Sequence, residues 1–435
     1  MDTIGLSSFR WLEFGADGGL LESGASAAIQ AMLSSEAITD LVVMSHGWKN
    51  TKADAATLYG TLWGNTVVAL KQKDPKTIGV VGIVWPAKQY STDFDDAAAA
   101  ASVAGATLSA GAGSVPGDLS DAEFEAKIKE VKDLFGPRGD AVVAAARAAA
   151  NCINFNTANA LFQSSLEAVS APPSDAELQK NVQFFTPMNS PDVALNSLIE
   201  PPKIPAAPGL GHISGLGQAI GNLFNGPRAA VGRVLNQLTY YEMKARAGVV
   251  GASLGGHVLP GLNVQSRKRL HLIGHSFGAR LVTAAANAMP PDLPLELFSL
   301  TLLQGAFSHN GLSSVASGAF ANVIGRPTGP IAITHTHNDR ACTFWYALAS
   351  RLSNDATKGF GDADDVFGAM GANGAQKLVA DVSVKDVSGP PFAPQRGKVN
   401  GFLADSYVVA TQTSDAHNNI TNATCGRLVA SVLEA

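Results

Sequence analysis

Only three cysteines, Cys152, Cys342 and Cys425, occur in 435 residues. Three thiols cannot close a disulfide framework and their spacing matches no zinc pattern, so a reducing cytoplasm is expected, with no metal and no cofactor. Charge is scarce too, at 15% of residues with a net of −5. That leaves no basic face to neutralise phosphates and no aromatic-plus-basic pattern for single strands, which argues against nucleic acid as a partner. The first residues, Met-Asp-Thr-Ile-Gly-Leu-Ser-Ser-Phe-Arg, have no basic stretch followed by an apolar one and do not read as a secretory signal. Residues 97–117 carry no charge, but they are mostly Ala, Gly and Ser and are too weakly apolar for a membrane span. What the chain does have is hydrophobic residues, 46% of the total, enough to bury a large core.

The chain opens with an alternating stretch, Phe9 to Phe14, that reads as an edge strand, and a helix-like stretch from Ala25 to Leu33. Two near-continuous apolar runs follow, Thr39 to Ser45 and Ile78 to Trp85, separated by a helical pattern from Lys52 to Lys71. Strand, helix, strand with apolar runs of this kind predicts a parallel sheet covered on both faces. Between residues 87 and 227 the rhythm stops. There, Asp121 to Phe135 is an amphipathic helix capped by Ser120, and Asp140 to Ala168 is an Ala-rich helix or helix pair. Residues 201–208 are proline-rich and residues 210–223 glycine-rich. The division is therefore 1–86 as a first part of the core, 87–227 as a helical insertion and 228–435 as the second part of the core. In that second part, strands are expected at 269–273, 297–303 and 331–334, a helix at 344–352, a loop-rich stretch at 355–399, the end of the sheet at Ser406 to Thr411, and a final helix at 424–433.

The apolar run Arg269 to Ile273 leads into Gly274-His275-Ser276-Phe277-Gly278 and then into good helix-forming sequence. A strand turning through small residues into a helix lifts one serine out of the sheet and sets its hydroxyl at the positive end of the helix dipole. A serine hydroxyl needs a general base and a group to orient that base. In the order Ser, acid, His, the set is Ser276, Asp339 and His417, with Asp339 just past one strand and His417 past the last. The oxyanion of a tetrahedral intermediate needs donors, and these fall to the backbone N–H of Phe277 and of Trp48, in the loop His46-Gly47-Trp48.

Rivals are present. Gly251-Ala-Ser253-Leu-Gly255 fits the same pattern but follows helical sequence, and reads as a helix end. His309 precedes the acid and would break the order, while Asp355, Asp362, Asp364 and Asp365 lack a preceding strand. His335 and His337 alternate at a strand end and are read as packing or hydrogen-bonding residues, because two histidines do not make a metal site. His275 is assigned a structural part beside the serine. Cys342 and Cys425 follow the acid and the histidine and are read as buried thiols.

These residues, His46-Gly47-Trp48, Gly274 to Gly278, Asp339 and His417, resemble the α/β-hydrolase superfamily, in the manner of a serine esterase or lipase. The resemblance implies a mostly parallel eight-stranded sheet flanked by helices, acyl transfer through an acyl-enzyme, and a cap or lid where residues 87–227 are inserted. The expected function is hydrolysis of a small-molecule carboxylic ester with apolar character, argued from Trp48, Phe277 and the apolar residues of the insertion. Alternatives are a lipase at an interface, with Leu216, Ile220, Leu223 and Phe224 as lid surface, an amidase, peptidase or thioesterase with the same residues, and an inactive scaffold on the same fold. Oligomeric state is not legible in the sequence.

Overall fold

The computed structural model describes residues 2–35, 37–87, 118–169, 178–179, 182–186, 190–200, 225–339, 341–343, 368–411 and 414–435. Nine strands form one sheet in the order β1-β2-β4-β3-β5-β6-β7-β9-β8, and every pairing but β1 with β2 is parallel. The strands are β1 (Asp2–Ile4), β2 (Ser7–Glu13), β3 (Asp40–Ser45), β4 (Ile78–Val84), β5 (Lys268–His275), β6 (Leu295–Leu303), β7 (Ile331–His335), β8 (Ser383–Val387) and β9 (Val399–Leu403). The fold is α/β. The resemblance implies eight strands; β1 adds an antiparallel outer strand, so the stretch at Phe9 is not an edge.

In β3 every side chain is buried. Leu41 and Val43 join one core cluster while Val42 and Met44 join another, which is why this strand is apolar without alternation. Helices α1 (Ala25–Leu33) and α2 (Lys52–Ala69) follow β2 and β3. A reciprocal Thr51–Asp54 capping box starts α2. The segment between β4 and β5 is helical where described: α3 (Asp121–Phe135), α4 (Pro137–Asn151), α5 (Phe155–Ala168), α6 (Pro191–Asn196) and the long α7 (Pro227–Ser253). Residues 140–168 are thus a helix pair, parted at Cys152 where the backbone becomes extended. The Asp118 carboxylate receives the N–H groups of Arg228 and Ala229, satisfying amides that open α7 and tying the two ends of the segment together. Helix α8 (Phe277–Ala288) follows β5 and packs against α7, and α9 (Ala423–Leu433), capped by Asn422, closes the chain against α2.

The sheet does not end at Ser406 to Thr411. Its last strand in sequence is β9, disguised by Asn400 and Gly401. The Asn400 amide donates to the carbonyls of Ile331, Gln395 and Lys398, and Gly401 leaves room for the Asp386 side chain. After β9 the amides of Tyr407 and Val408 return to Ala404 O, a turn that buries Val408. Strand β8 lies inside the stretch read as loop. It is a half-exposed outer strand with Lys and Asp in it, so no apolar pattern marks it. The readings at 97–117, 201–223 and 344–352 lie outside the described residues.

Candidate active site

All parallel strands point their carboxyl ends to one edge, where open α/β sheets gather ligands. Ser276 stands there between β5 and α8, with φ 57° and ψ −123°. A non-glycine residue at such angles costs about 1–3 kcal/mol and is held by its surroundings. Here the Ser276 N–H donates to Leu303 O at 3.1 Å, and its carbonyl accepts from Ala279 and Ala306 at 3.0 and 3.1 Å. The flanking glycines are required by space. A Cβ on Gly278 would meet the carbonyls of Ser45 and His46, the latter at 2.5 Å, and one on Gly274 would lie 2.5 Å from Ala279 Cα.

The loop after β3 comes against the serine. A Cβ on Gly47 would sit 2.6 Å from Ser276 Cβ and 3.1 Å from its Oγ, so only glycine lets the two turns meet. His46 is locked from three sides. Its N–H donates to the Tyr59 hydroxyl at 2.7 Å, its carbonyl accepts the Trp85 indole N–H at 3.0 Å, and its Nδ1 donates to Gly47 O at 2.8 Å. Burial brings the His46 imidazole down to about 4. Asn50 Nδ2 bonds the Trp48 carbonyl at 2.9 Å. Phe277, as the first residue of α8, has an amide with no acceptor within its helix. Trp48, Phe277 and Tyr240 of α7 form an aromatic group, with ring centroids 4.9 Å apart for Tyr240 and Phe277 and 6.0 Å for Trp48 and Phe277. Tyr240 was not singled out in the sequence, and its distance from the motifs along the chain explains why.

Asp339 and His417 come together. The Nδ1–H of His417 donates to Asp339 Oδ2 at 2.8 Å, leaving Nε2 as the acceptor on the other side of the ring. Asp339 is fully buried. Burial pushes its carboxyl up, but the neighbouring His417, the Cys342 amide on Oδ1 at 2.9 Å and the Gln304 amide outweigh this and hold it below its ordinary value. Gln304 is a residue that sequence reasoning missed. Its Nε2 donates to the same Asp339 Oδ2 at 3.0 Å and to Gly371 O at 2.9 Å, from a backbone at φ 48° just past β6. Its only signal was its place at a strand's carboxyl end. Ser276 Oγ takes part in none of the described hydrogen bonds; its link to this pair runs through its neighbour, His275, whose Nε2 bonds the carbonyl of His417.

Comparison of the chain with protein-family models, curated proteins and solved structures finds no match in any of the three.

The remaining candidates go elsewhere. His335 pairs with Asp386 at 2.7 Å and His337 with Asp405 at 2.9 Å, so these histidines serve separate carboxylates. His309 is fully buried, with Nδ1 3.2 Å from Asn373 Nδ2. Ser253 ends α7, followed by a π-turn at Leu254–Val258. The glycines on either side of it are helix-packing residues: a Cβ on Gly251 would meet Ala284 Cβ at 2.8 Å, and one on Gly255 Ala285 Cα at 2.8 Å. Cys342 and Cys425 are both buried free thiols in different core clusters. Asp355, Asp362, Asp364 and Asp365, and Leu216, Ile220, Leu223 and Phe224, lie outside the described residues. Among the described residues, Asp339, Cys342 and His417 are the group that could hold a metal ion.

A second chain of serine, histidine and aspartate crosses the sheet nearer its amino edge. His271 joins Ser299 Oγ at 2.8 Å through Nδ1 and Asp40 Oδ1 at 2.9 Å through Nε2, and Lys73 bonds Asp40 at 2.6 Å. All of Ser299, His271 and Asp40 are sealed from solvent, and the Ser299 backbone is ordinary strand. It ties β3, β5 and β6 together and offers no substrate a way in.

Proposed function

We propose that this chain is a serine hydrolase of the α/β-hydrolase kind, cleaving a carboxylic ester with an apolar part through an acyl-enzyme. The observation that carries the reading is the Asp339–His417 hydrogen bond on the same sheet edge as a strained Ser276. In this mechanism Ser276 Oγ attacks the ester carbonyl and passes its proton to His417 Nε2. Asp339 keeps Nδ1 protonated and stabilises the imidazolium. The negative oxygen is received by the N–H groups of Phe277 and Trp48, each donor typically worth about 3 kcal/mol of barrier. His417 then protonates the leaving alcohol, and water repeats the sequence on the acyl group. Because Ser276 Oγ is not hydrogen-bonded to His417, the first proton transfer requires closer approach of the two, as catalytic hydrogen bonds tighten with substrate. Trp48, Phe277 and Tyr240 favour an apolar acyl or alcohol group, and helices α3 to α6 are the cap in this reading.

The test is covalent labelling with a fluorophosphonate, which reacts rapidly only where a serine has a base and an oxyanion site. One adduct per chain is expected, on the peptide holding Ser276 and absent in Ser276→Ala, with turnover of p-nitrophenyl esters rising with chain length. An adduct on Ser253 would move the nucleophile to that motif and overturn the assignment to Ser276. No adduct on folded protein favours a scaffold.

A further inference from the structure

Cys342 brings a third ligand atom to the acid and the base. Its Sγ lies 3.8 Å from His417 Nδ1, which lies 2.8 Å from Asp339 Oδ2. One ligand atom from each residue falls within 4.8 Å of the others, and all three side chains are buried. From this geometry we infer that Asp339, Cys342 and His417 form an inhibitory site for a thiophilic divalent cation such as Zn²⁺. The inhibition rests on the hydrolase reading; the binding does not.

Zinc takes thiolate at about 2.3 Å and imidazole at about 2.0–2.1 Å in a tetrahedron, which sets sulfur and nitrogen roughly 3.6 Å apart, near the separation found here. Nδ1 and Oδ2 stand closer than two zinc ligands do, so the cation enters by replacing the hydrogen bond between them. Two anionic ligands, thiolate and carboxylate, balance the cation's charge, which a buried site demands. The thiolate selects zinc over magnesium or calcium, whose preference is for oxygen. On binding, metal bonds form to Sγ, Nδ1 and one carboxylate oxygen, and a water takes the fourth position. The thiol proton leaves to solvent, and the imidazole proton moves from Nδ1 to Nε2. His417 then presents a donor where the mechanism requires an acceptor. The base is silenced by its tautomer, with Ser276 untouched.

The experiment uses full-length protein carrying Cys152→Ser, since Cys152 is an exposed thiol that would capture metal on its own. Co²⁺ is the spectroscopic probe and Zn²⁺ the inhibitor. One Co²⁺ per chain with a thiolate charge-transfer band is expected, displaced by Zn²⁺. Zn²⁺ should also suppress ester turnover reversibly by chelator. Cys342→Ser and Cys342→Ala in the same background, each measured against its own metal-free rate, should lose the band and need at least about 10-fold more Zn²⁺, no less than removal of a supporting group costs. The site is overturned by the lack of a band, or by a band or inhibition that survives both Cys342 variants. Protein that shows the band but no turnover keeps the site and loses the hydrolase reading; turnover without the band does the reverse.

Discussion

His275 donates its Nε2–H to the backbone carbonyl of His417 across 2.9 Å, joining the residue before Ser276 to the residue proposed as the base. Their rings lie 4.9 Å apart. Burial first, and the adjacent His417 second, bring the His275 imidazole down to about 3, so at neutral pH it is an uncharged donor and adds no charge beside His417. Replacing it by Leu removes the tether. We expect kcat on soluble esters to fall by about 10²-fold, the scale of a small misplacement of reacting groups, and fluorophosphonate labelling to slow in proportion. Labelling at the unaltered rate would show that the tether does not position the base.

Gln304 is expected to act through Asp339. Gln304→Met keeps the volume and removes one donor to the carboxylate, a bond to a charged group worth about 1.5–3 kcal/mol. The sign follows from Asp339, whose carboxyl is held below its ordinary value and must stay ionised. Without Gln304 the oxygen that Asp339 shares with His417 Nδ1–H is a stronger acceptor and favours the imidazolium, so the proposed base is protonated, and turnover eroded, at a higher pH than in the parent. A pH profile of kcat/KM should therefore show its acid limb displaced upward with the plateau lower. A plateau that drops with the limb unmoved would mean that Gln304 supports only the fold.

Buried neutral histidines set the acid stability. His46 and His275 are brought down to about 4 and about 3, and His271 is lowered as well, in each case chiefly by burial. The unfolded chain protonates them near 6.5, so it binds more protons than the fold below that pH, and stability falls with pH until each folded value is reached. For His46 alone this is about 3 kcal/mol between pH 6.5 and 4. Asp40, held low against burial by His271 and Lys73, loses its contribution further down, below the ordinary carboxylate range. Urea midpoints should be level above pH 7 and drop steeply from 6.5 to 4, with a shallower drop in His46→Gln. Equal slopes in parent and variant would remove His46 from this account.

The two serine patterns should part under mutation. Gly255→Ala forces a methyl onto the backbone of Ala285 and should cost about 1–3 kcal/mol by overpacking, while Ser253→Ala should leave ester turnover and labelling as they were. Thermal melts and rates on the two variants check both halves. Loss of turnover in Ser253→Ala would return that serine to candidacy.

Legibility followed burial. Strands β3, β4, β5 and β6 stood out because covered faces demand apolar runs, and α3 because its exposed start carries Ser120 with Glu123 three residues on, whereas the Asn154 start of α5 was lost inside one Ala-rich stretch. Strands β8 and β9 were missed or misplaced because one is half-exposed and the other is built on Asn400 and Gly401, whose fitness depends on contacts with Gln395 and Asp386. In the site, the residues of short motifs were readable from local spacing. Gln304, Tyr240 and the tether from His275 were not, because each acquires its part from a neighbour distant in the chain.

Strand β3 lies between β4 and β5, yet about 180 residues separate the end of β4 from the start of β5. At roughly 5–20 residues per second of synthesis, the apolar β3 edge waits on the order of 10–40 s for its second neighbour. Over that interval a nascent chain exposes Val42, Val43 and Met44 on an open edge, which is the kind of surface that holding chaperones engage and that pairs between chains. A chain stopped before residue 268 should accordingly aggregate or remain chaperone-bound, even though it contains all of the helical segment. The long excursion between β4 and β5 is thus expected to make the timing of β5 the step on which the yield of folded protein turns.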